Sequence, residues 1–136
     1  MAELVIDAKL DNLDKVQAFI EETLEEAGCS PKAMMQISIA VEEIFVNIAS
    51  YAYPDGGGKA RLEATILDGS ERGVSLLFAD SGVPFDPMAK EDPDVTLPAE
   101  ERGIGGLGIY MVKKSMDDMY YKREDGENRL TIVKKW

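Results

Sequence analysis

Residues 37–51, with the sequence Ile-Ser-Ile-Ala-Val-Glu-Glu-Ile-Phe-Val-Asn-Ile-Ala-Ser-Tyr, form the stretch that decides the fold. Its hydrophobic residues recur at the i, i+4, i+7 and i+11 spacing of a helix with one buried face. They are Ile37, Val41, Ile44 and Ile48. Glu43 and Asn47 are four residues apart, so their side chains lie along one line at the margin of that face. Glu42 points about 100° away from Glu43 and is predicted to be solvated. Taken alone, Glu43 and Asn47 are best explained as the polar edge of an amphipathic helix, but two later segments change this interpretation.

The rest of the chain supplies a sheet for this helix to cover. Ser30 and Pro31 are a helix cap followed by proline at the first helical position, so the central helix begins there. Strands are predicted at residues 2–8, 59–67, 74–79, 118–123 and 129–135, and two further helices at about 12–27 and 108–117. Asp11 or Asn12 is predicted to cap the first of these helices, whose outer face carries solvated glutamates. Three helices on one side of a mostly antiparallel five-stranded sheet form a two-layer α/β sandwich of the α+β type. No repeat or composition change divides residues 1–136, which are predicted to form a single domain.

The composition excludes several classes of function. The chain has no histidine and one cysteine, which removes Ser-His-Asp chemistry, imidazole metal sites and an internal disulfide. Its net charge of −11 argues against direct binding to nucleic acid, because phosphate neutralisation needs a surplus of Lys and Arg. No hydrophobic run approaches the roughly 20 residues that span a bilayer, and the N-terminal residues lack the pattern of a signal peptide. We therefore expect a cytoplasmic protein with no membrane association.

The second informative segment is Asp-Ser-Gly-Val-Pro-Phe-Asp-Pro, residues 80–87, which follows a hydrophobic strand. A carboxylate at the end of a buried strand, here Asp80, can accept a hydrogen bond from an exocyclic amine such as that of adenine. Gly82 would let the backbone approach a flat ring, because glycine has no Cβ. The same residue types also make ordinary turns, so this segment alone does not decide the function.

The third segment is Gly-Ile-Gly-Gly-Leu-Gly, residues 103–108, which follows a long proline-rich connector at 84–102. It matches G-x-G-x-x-G, but it follows a loop instead of a strand and has no Lys-Ser or Lys-Thr after it, which excludes the Rossmann and P-loop motifs. A glycine-rich turn that opens a helix still presents free backbone N–H groups to a phosphate. Arg102, Lys113 and Lys114 would add positive charge, and the connector has the length of a lid or binding loop.

In this order and spacing, the three segments resemble the nucleotide-binding motifs of GHKL, or Bergerat-fold, ATP-binding domains. The resemblance covers the chain from about residue 31 to its end. The runs Asp-Ser-Gly-Val-Pro-Phe-Asp-Pro and Gly-Gly-Leu-Gly-Ile-Tyr-Met-Val-Lys are similar to those of bacterial anti-sigma-factor serine kinases of partner-switching systems. Each motif alone is a weak signal, and the ordered set is a strong one.

The resemblance implies a role for each matching residue. Asn47 would supply an oxygen ligand to Mg²⁺, and Glu43 would act as the general base that polarises a substrate hydroxyl. Asp80 would hold the adenine amine, with Gly82 beneath the ring and Thr131 nearby through a water molecule. The phosphates would be wrapped by the glycine-rich loop. Its residues are Arg102, Gly103, Gly105, Gly106, Leu107 and Gly108.

The same resemblance implies an anti-sigma factor that is also a serine/threonine-protein kinase. Such a protein uses Mg-ATP to phosphorylate an anti-anti-sigma protein and sequesters a sigma factor. The resemblance also suggests a homodimer. The alternative is an ATP-gated protein-binding module without kinase activity. A detached ATPase domain of a sensor histidine kinase is disfavoured, because a phosphoacceptor histidine would have to lie on another chain. Gyrase-, chaperone- and repair-type relatives need further domains for which 136 residues leave no room.

Overall fold

A computed structural model of the chain describes residues 1–88 and 106–136, with the side chains of residues 106 and 107 outside the description. The helices are α1 (Leu13–Glu26), which follows a short 3₁₀ turn at Leu10–Asn12, α2 (Pro31–Tyr51) and α3 (Gly106–Ser115). The strands are β1 (Ala2–Asp7), β2 (Lys59–Asp68), β3 (Arg72–Asp80), β4 (Asp118–Glu124) and β5 (Glu127–Lys135).

The five strands form one sheet in the order β1-β2-β3-β5-β4, and each neighbouring pair is antiparallel. Three helices and this sheet make a two-layer α+β fold, which confirms the predicted fold class. β3 lies in the middle and pairs with β2 along its whole length, so its last residue, Asp80, is flanked by β2 and β5.

The central helix α2 supplies the largest part of the helical layer. Its N-terminus is capped as predicted, because the Ser30 hydroxyl oxygen accepts a hydrogen bond from the Ala33 N–H at 3.3 Å. The predicted face is buried, and it also includes smaller side chains and one aromatic ring. Its buried residues are Ala33, Ile37, Ala40, Val41, Ile44 and Phe45. By length and composition, α2 is also the one helix in the described part of the chain that could cross a membrane, a test that the core helix of a soluble protein passes as well.

Helix α1 packs beside α2 through Val16, Ile20 and Leu24, and its predicted outer acids are exposed. The cap predicted from Asp11 or Asn12 is corrected by the structure. Asn12 occupies the N-cap position, but its side-chain amide donates to the Asp7 carbonyl at 2.9 Å and makes no cap hydrogen bond. The amide therefore ties the end of β1 to the start of α1.

Side chains alternate between two faces of the sheet, as the pleat requires. On β5, Asn128, Leu130 and Ile132 face the helices and are buried. The opposite, outer face carries charged pairs, in which the Arg61 guanidinium donates to Glu127 at 2.8 Å. This hydrogen bond lowers the pKa of the Glu127 carboxyl. The stability that the ionised carboxylate contributes is therefore lost as the pH falls through that lowered pKa.

The single tryptophan, Trp136, closes the chain at the end of β5. Its backbone N–H donates to the Arg72 carbonyl at 3.0 Å, at the end of β3 opposite Asp80. The ring packs against the core, and its Nε1–H is buried without a hydrogen-bond partner in the described part of the chain.

Candidate functional site

A pocket lies between the C-terminal half of α2 and the sheet, at the end of β3 where Asp80 stands. Its empty space is about 480 Å³ when the solvent at its open mouth is counted. Most of its lining is hydrophobic or aromatic, with Asn47, Asp80 and Asn128 as its carboxylate and amide groups. The lining residues are Ile44, Asn47, Ile48, Tyr51, Ala52, Phe78, Asp80, Val83, Phe85, Pro87, Ile109, Tyr121, Asn128 and Leu130.

Asp80 and Asn128 are the two buried polar side chains in residues 1–88 and 106–136, and each is 6% exposed. They are directly paired residues of β3 and β5. Asn128 Nδ2 donates to Asp80 Oδ1 at 3.0 Å, and the Gly82 N–H donates to the same oxygen at 2.9 Å. Oδ1 thus accepts two hydrogen bonds from the protein. No hydrogen bond to Asp80 Oδ2 occurs in the described part of the chain, although Asp80 lines the pocket.

Asn128 uses its whole hydrogen-bonding capacity. Its amide nitrogen donates to Asp80 and to the Val83 carbonyl, the latter at 2.8 Å. Its Oδ1 accepts from the Tyr121 hydroxyl at 2.6 Å and from the Phe85 N–H at 3.2 Å. A buried amide that makes all four bonds is fixed in position and orientation. No sequence motif identified Asn128 as a site residue. It lies three residues before Thr131, an odd distance that places the two side chains on opposite faces of β5.

The placement of Thr131 beside the ligand is corrected by this alternation. Thr131 pairs with Leu77 and Tyr120 on the outer face of the sheet, where it lines a shallow groove with polar side chains of β2 and β4. Asp80 points to the helical side, so the sheet separates the two side chains. Asn128 occupies the position that was predicted for Thr131.

Gly82 allows a close approach between the loop after β3 and the end of α2. A Cβ at this position would overlap the carbonyl oxygen of Ala52, the residue that ends α2. The neighbouring Val83 N–H donates to that same oxygen at 2.9 Å. The absent side chain therefore lets the loop after β3 pack against the end of α2, and the place of Gly82 beneath a ligand ring stays a prediction.

Glu42, Glu43 and Asn47 of α2 reach different surroundings. Asn47 lines the pocket with Asp80, whereas Glu43, one turn earlier, is half-buried and lies against the first turn of α3. A Cβ on Gly108 would overlap the Glu43 carboxylate, so this glycine makes room for it. Glu42 is exposed, as its direction on the helix predicted.

The glycine-rich loop is described in part. Gly106 begins α3 and Leu107 is its second residue, whereas Arg102, Gly103 and Gly105 lie outside the described residues, as does most of the predicted lid. The N-terminus of α3 presents the backbone N–H groups that have no acceptor within the helix and the positive end of the helix dipole, which suit an anion. Lys113 and Lys114 are in the last turn of α3, about 10 Å along the axis from that end, so they do not add charge there.

Together these features form two adjoining surroundings with different chemistry. One is a hydrophobic pocket with a buried carboxylate, one oxygen of which can accept a hydrogen bond from a ligand. A flat ring that carries an amine donor suits both features. The other is a helix N-terminus beside the carboxylate of Glu43, where an anionic group and a hydroxyl could meet. Asn47 lies on α2 between Asp80 and Glu43, because it lines the pocket and is one helical turn from Glu43.

Comparison with known proteins gives one matching family model, described as the histidine kinase-like ATPase domain, over residues 6–134. Among curated proteins, a serine/threonine-protein kinase, BtrW, from Bordetella bronchiseptica is 29% identical over 104 residues, 76% of this chain and 72% of its own. Serine-protein kinases RsbW from Bacillus cereus and Bacillus mycoides are 27% and 29% identical, each over 91% of this chain and 78% of its own.

The packing of Gly82 leads to a prediction about stability. We expect Gly82→Ala to lower the free energy of unfolding by about 1–3 kcal/mol, because the added methyl group must displace the backbone at Ala52. Gly57→Ala is the matched control, since no atom lies within 4 Å of its added Cβ. Urea denaturation of both variants measures the difference. Equal midpoints for the two variants would contradict the steric role of Gly82.

Proposed function

Because the chain belongs to the histidine kinase-like ATPase domain family, we propose that its pocket binds Mg-ATP and that the chain is a serine/threonine-protein kinase acting on another protein. The observation that carries the proposal is the Asp80 carboxylate, which belongs to a buried residue, lines a hydrophobic pocket and has one oxygen without a hydrogen bond from residues 1–88 and 106–136. That oxygen can accept a hydrogen bond from a ligand amine.

Adenine fits the chemistry of this pocket. Its flat ring suits hydrophobic and aromatic walls such as Ile48, Phe78 and Val83, and its exocyclic amine is a donor for Asp80. Guanine carries a carbonyl oxygen at the same place, which would face a carboxylate oxygen without a proton between them. The pocket therefore favours adenine over guanine.

The phosphates would lie toward the N-terminus of α3, where backbone N–H groups are free to bind them. Asn47 would hold Mg²⁺ through its amide oxygen together with phosphate oxygens, since Mg²⁺ in such sites is bound by few protein groups. ATP supplies a phosphoryl group whose transfer depends on positioning and charge neutralisation. Arg102, Gly103, Gly105, Gly106, Leu107 and Gly108 complete the proposed phosphate site.

Glu43 is the proposed general base. Its carboxylate lies beside the first turn of α3, hence next to the proposed phosphate position, and could accept the proton of an incoming serine or threonine hydroxyl. A chain of 136 residues with one nucleotide pocket would receive that hydroxyl on another protein. Relatives named serine-protein kinases support this choice of acceptor.

The proposed partners follow from the family resemblance. As a single domain of residues 1–136 and a partner-switching component, the chain would phosphorylate an anti-anti-sigma protein and sequester a sigma factor in the cytoplasm as a homodimer. Neither nucleic acid nor a membrane takes part in this scheme. Loss of the γ-phosphate would change the loop around Arg102, so the sigma factor would bind more tightly with ATP and the unphosphorylated antagonist with ADP.

The adenine assignment is tested by Asp80→Asn. An asparagine here places an NH₂ group either against the Asn128 amide and the Gly82 N–H, which loses two hydrogen bonds, or against the adenine amine, which loses one. We expect ATP affinity to fall by about 10–100-fold, as for a hydrogen bond to a charged group. Calorimetry with ATP and Mg²⁺ measures it, with Asp68→Asn, at the exposed last residue of β2, as the control. Unchanged affinity in Asp80→Asn would refute the assignment.

The general-base assignment is tested by the two neighbouring glutamates of α2. Glu43→Gln should leave ATP binding nearly unchanged and lower phosphotransfer by about 10²–10⁴-fold, the usual scale for a positioned base. Glu42→Gln, whose side chain is exposed, should change neither quantity. Single-turnover kinetics at saturating ATP separate binding from transfer. If Glu43→Gln retains full phosphotransfer, the base lies elsewhere.

The partner assignment is tested with the sigma factor and the antagonist encoded nearest to this chain. Purified with radiolabelled ATP, the three proteins should yield label on a serine or threonine of the antagonist, and the label should be lost in Glu43→Gln. ATP-dependent retention of the sigma factor without any label would replace the kinase with an ATP-gated binding module. If neither protein binds under any nucleotide, the anti-sigma assignment is wrong.

A further inference from the structure

We propose that Asn128, held by Tyr121, is a positioning residue that makes the pocket selective for the 6-amino group of adenine. The inference rests on the proposed function, since it concerns the way in which the ATP pocket chooses its base. It assigns a role to two residues whose chemistry has not been used so far.

The orientation of the Asn128 amide is dictated by its neighbours. Asp80 Oδ1 and the Val83 carbonyl are acceptors, so the amide nitrogen must face them, at 3.0 and 2.8 Å. The Phe85 N–H is a donor, so the amide oxygen must face it, and the Tyr121 hydroxyl then donates to the same oxygen. The reversed amide would place oxygen against oxygen at two contacts and nitrogen against a donor at a third.

This orientation determines which atom of Asp80 a ligand meets. Oδ1 receives hydrogen bonds from Asn128 and from the Gly82 N–H, which occupy both of its lone-pair directions. The carboxylate cannot rotate without breaking both bonds. Oδ2 remains as the oxygen without a hydrogen bond in the described part of the chain. The pocket therefore presents a fixed acceptor, which matches the amine at position 6 of adenine and repels a carbonyl oxygen there.

Tyr121 connects this selectivity to the edge of the sheet. It lies on β4, and its hydroxyl reaches Asn128 on the neighbouring β5, while its ring lines the pocket. Without that hydroxyl, one lone pair of Asn128 Oδ1 would be open to water in the pocket. A water molecule can donate as well as accept, so it would satisfy a carbonyl at position 6 and weaken the selection.

The test compares ATP with ITP, which carries a carbonyl in place of the 6-amino group. Wild-type protein should prefer ATP by about 100-fold, because ITP leaves a charged acceptor without its hydrogen bond. Asn128→Asp keeps the size of the side chain but brings two carboxyl groups to the 3.0 Å of the present contact, where both cannot stay ionised. When the proton that the pair retains lies on Asp80 Oδ2, it can donate to the carbonyl of ITP, so the preference should fall by about tenfold or more, and further as the pH is lowered.

Two further variants make the result decisive. Tyr121→Phe removes a single hydroxyl and should lower the preference by about threefold or more, a smaller effect because the Phe85 N–H still holds Asn128. Thr131→Val, on the same strand but on the outer face, should leave the preference as in the wild type. Calorimetry gives both affinities, and circular dichroism reports whether each variant is folded.

The outcomes separate this inference from the proposed function. A preference that stays at the wild-type value in Asn128→Asp and Tyr121→Phe, even with lowered melting temperatures, overturns the role of Asn128 in selectivity. If Asn128→Asp does not fold, Tyr121→Phe decides alone by the same criterion. Equal affinity of the wild type for ATP and ITP overturns the inference and leaves nucleotide binding standing. Binding of neither nucleotide to the wild type overturns the proposed function, and this inference with it.

Discussion

The hydrogen bond between Asn128 and Asp80 is the interaction on which the site depends. It joins the ends of β3 and β5 inside the hydrophobic layer, where a lone carboxylate or amide would be costly to bury. Each makes the burial of the other possible. The loop after β3 is then held to the same pair through Gly82, Val83 and Phe85. One polar pair thus sets the strand ends, the loop and the wall of the pocket together.

The fold could be predicted because its signals are local and repeated. The period of α2, the Ser30 cap and the alternation in the strands each depend on a few neighbouring residues, and the structure agrees with them. The ends of the strands were predicted less accurately, because β3 and β5 extend further than the hydrophobic pattern alone indicated. The Asn12 side chain does not make the predicted cap hydrogen bond, because its amide donates to the Asp7 carbonyl at the end of β1.

Site residues could be predicted only where a single segment of sequence contains the pattern that identifies them. Asp80, Asn47 and Glu43 follow from their positions on a strand end and on one line of a helix. Asn128 was not found, because its partner lies 48 residues earlier and meets it only through strand pairing. A family likeness pointed to Thr131, three residues away, and an odd shift on a strand exchanges the two faces of the sheet. Gly82 was identified as necessary, but its contact, Ala52, lies on another element.

The position of Trp136 gives the protein a natural optical probe with a defined meaning. The single indole lies at the end of the sheet opposite Asp80, and the nine residues of β3 separate the two ends by roughly 25 Å. A ligand in the pocket cannot touch this ring, so simple occupancy leaves its fluorescence unaltered. Because the ring packs against the core, its emission reports the integrity of the sheet's far edge. Any spectral shift during a nucleotide titration would therefore signal a rearrangement transmitted along the strands.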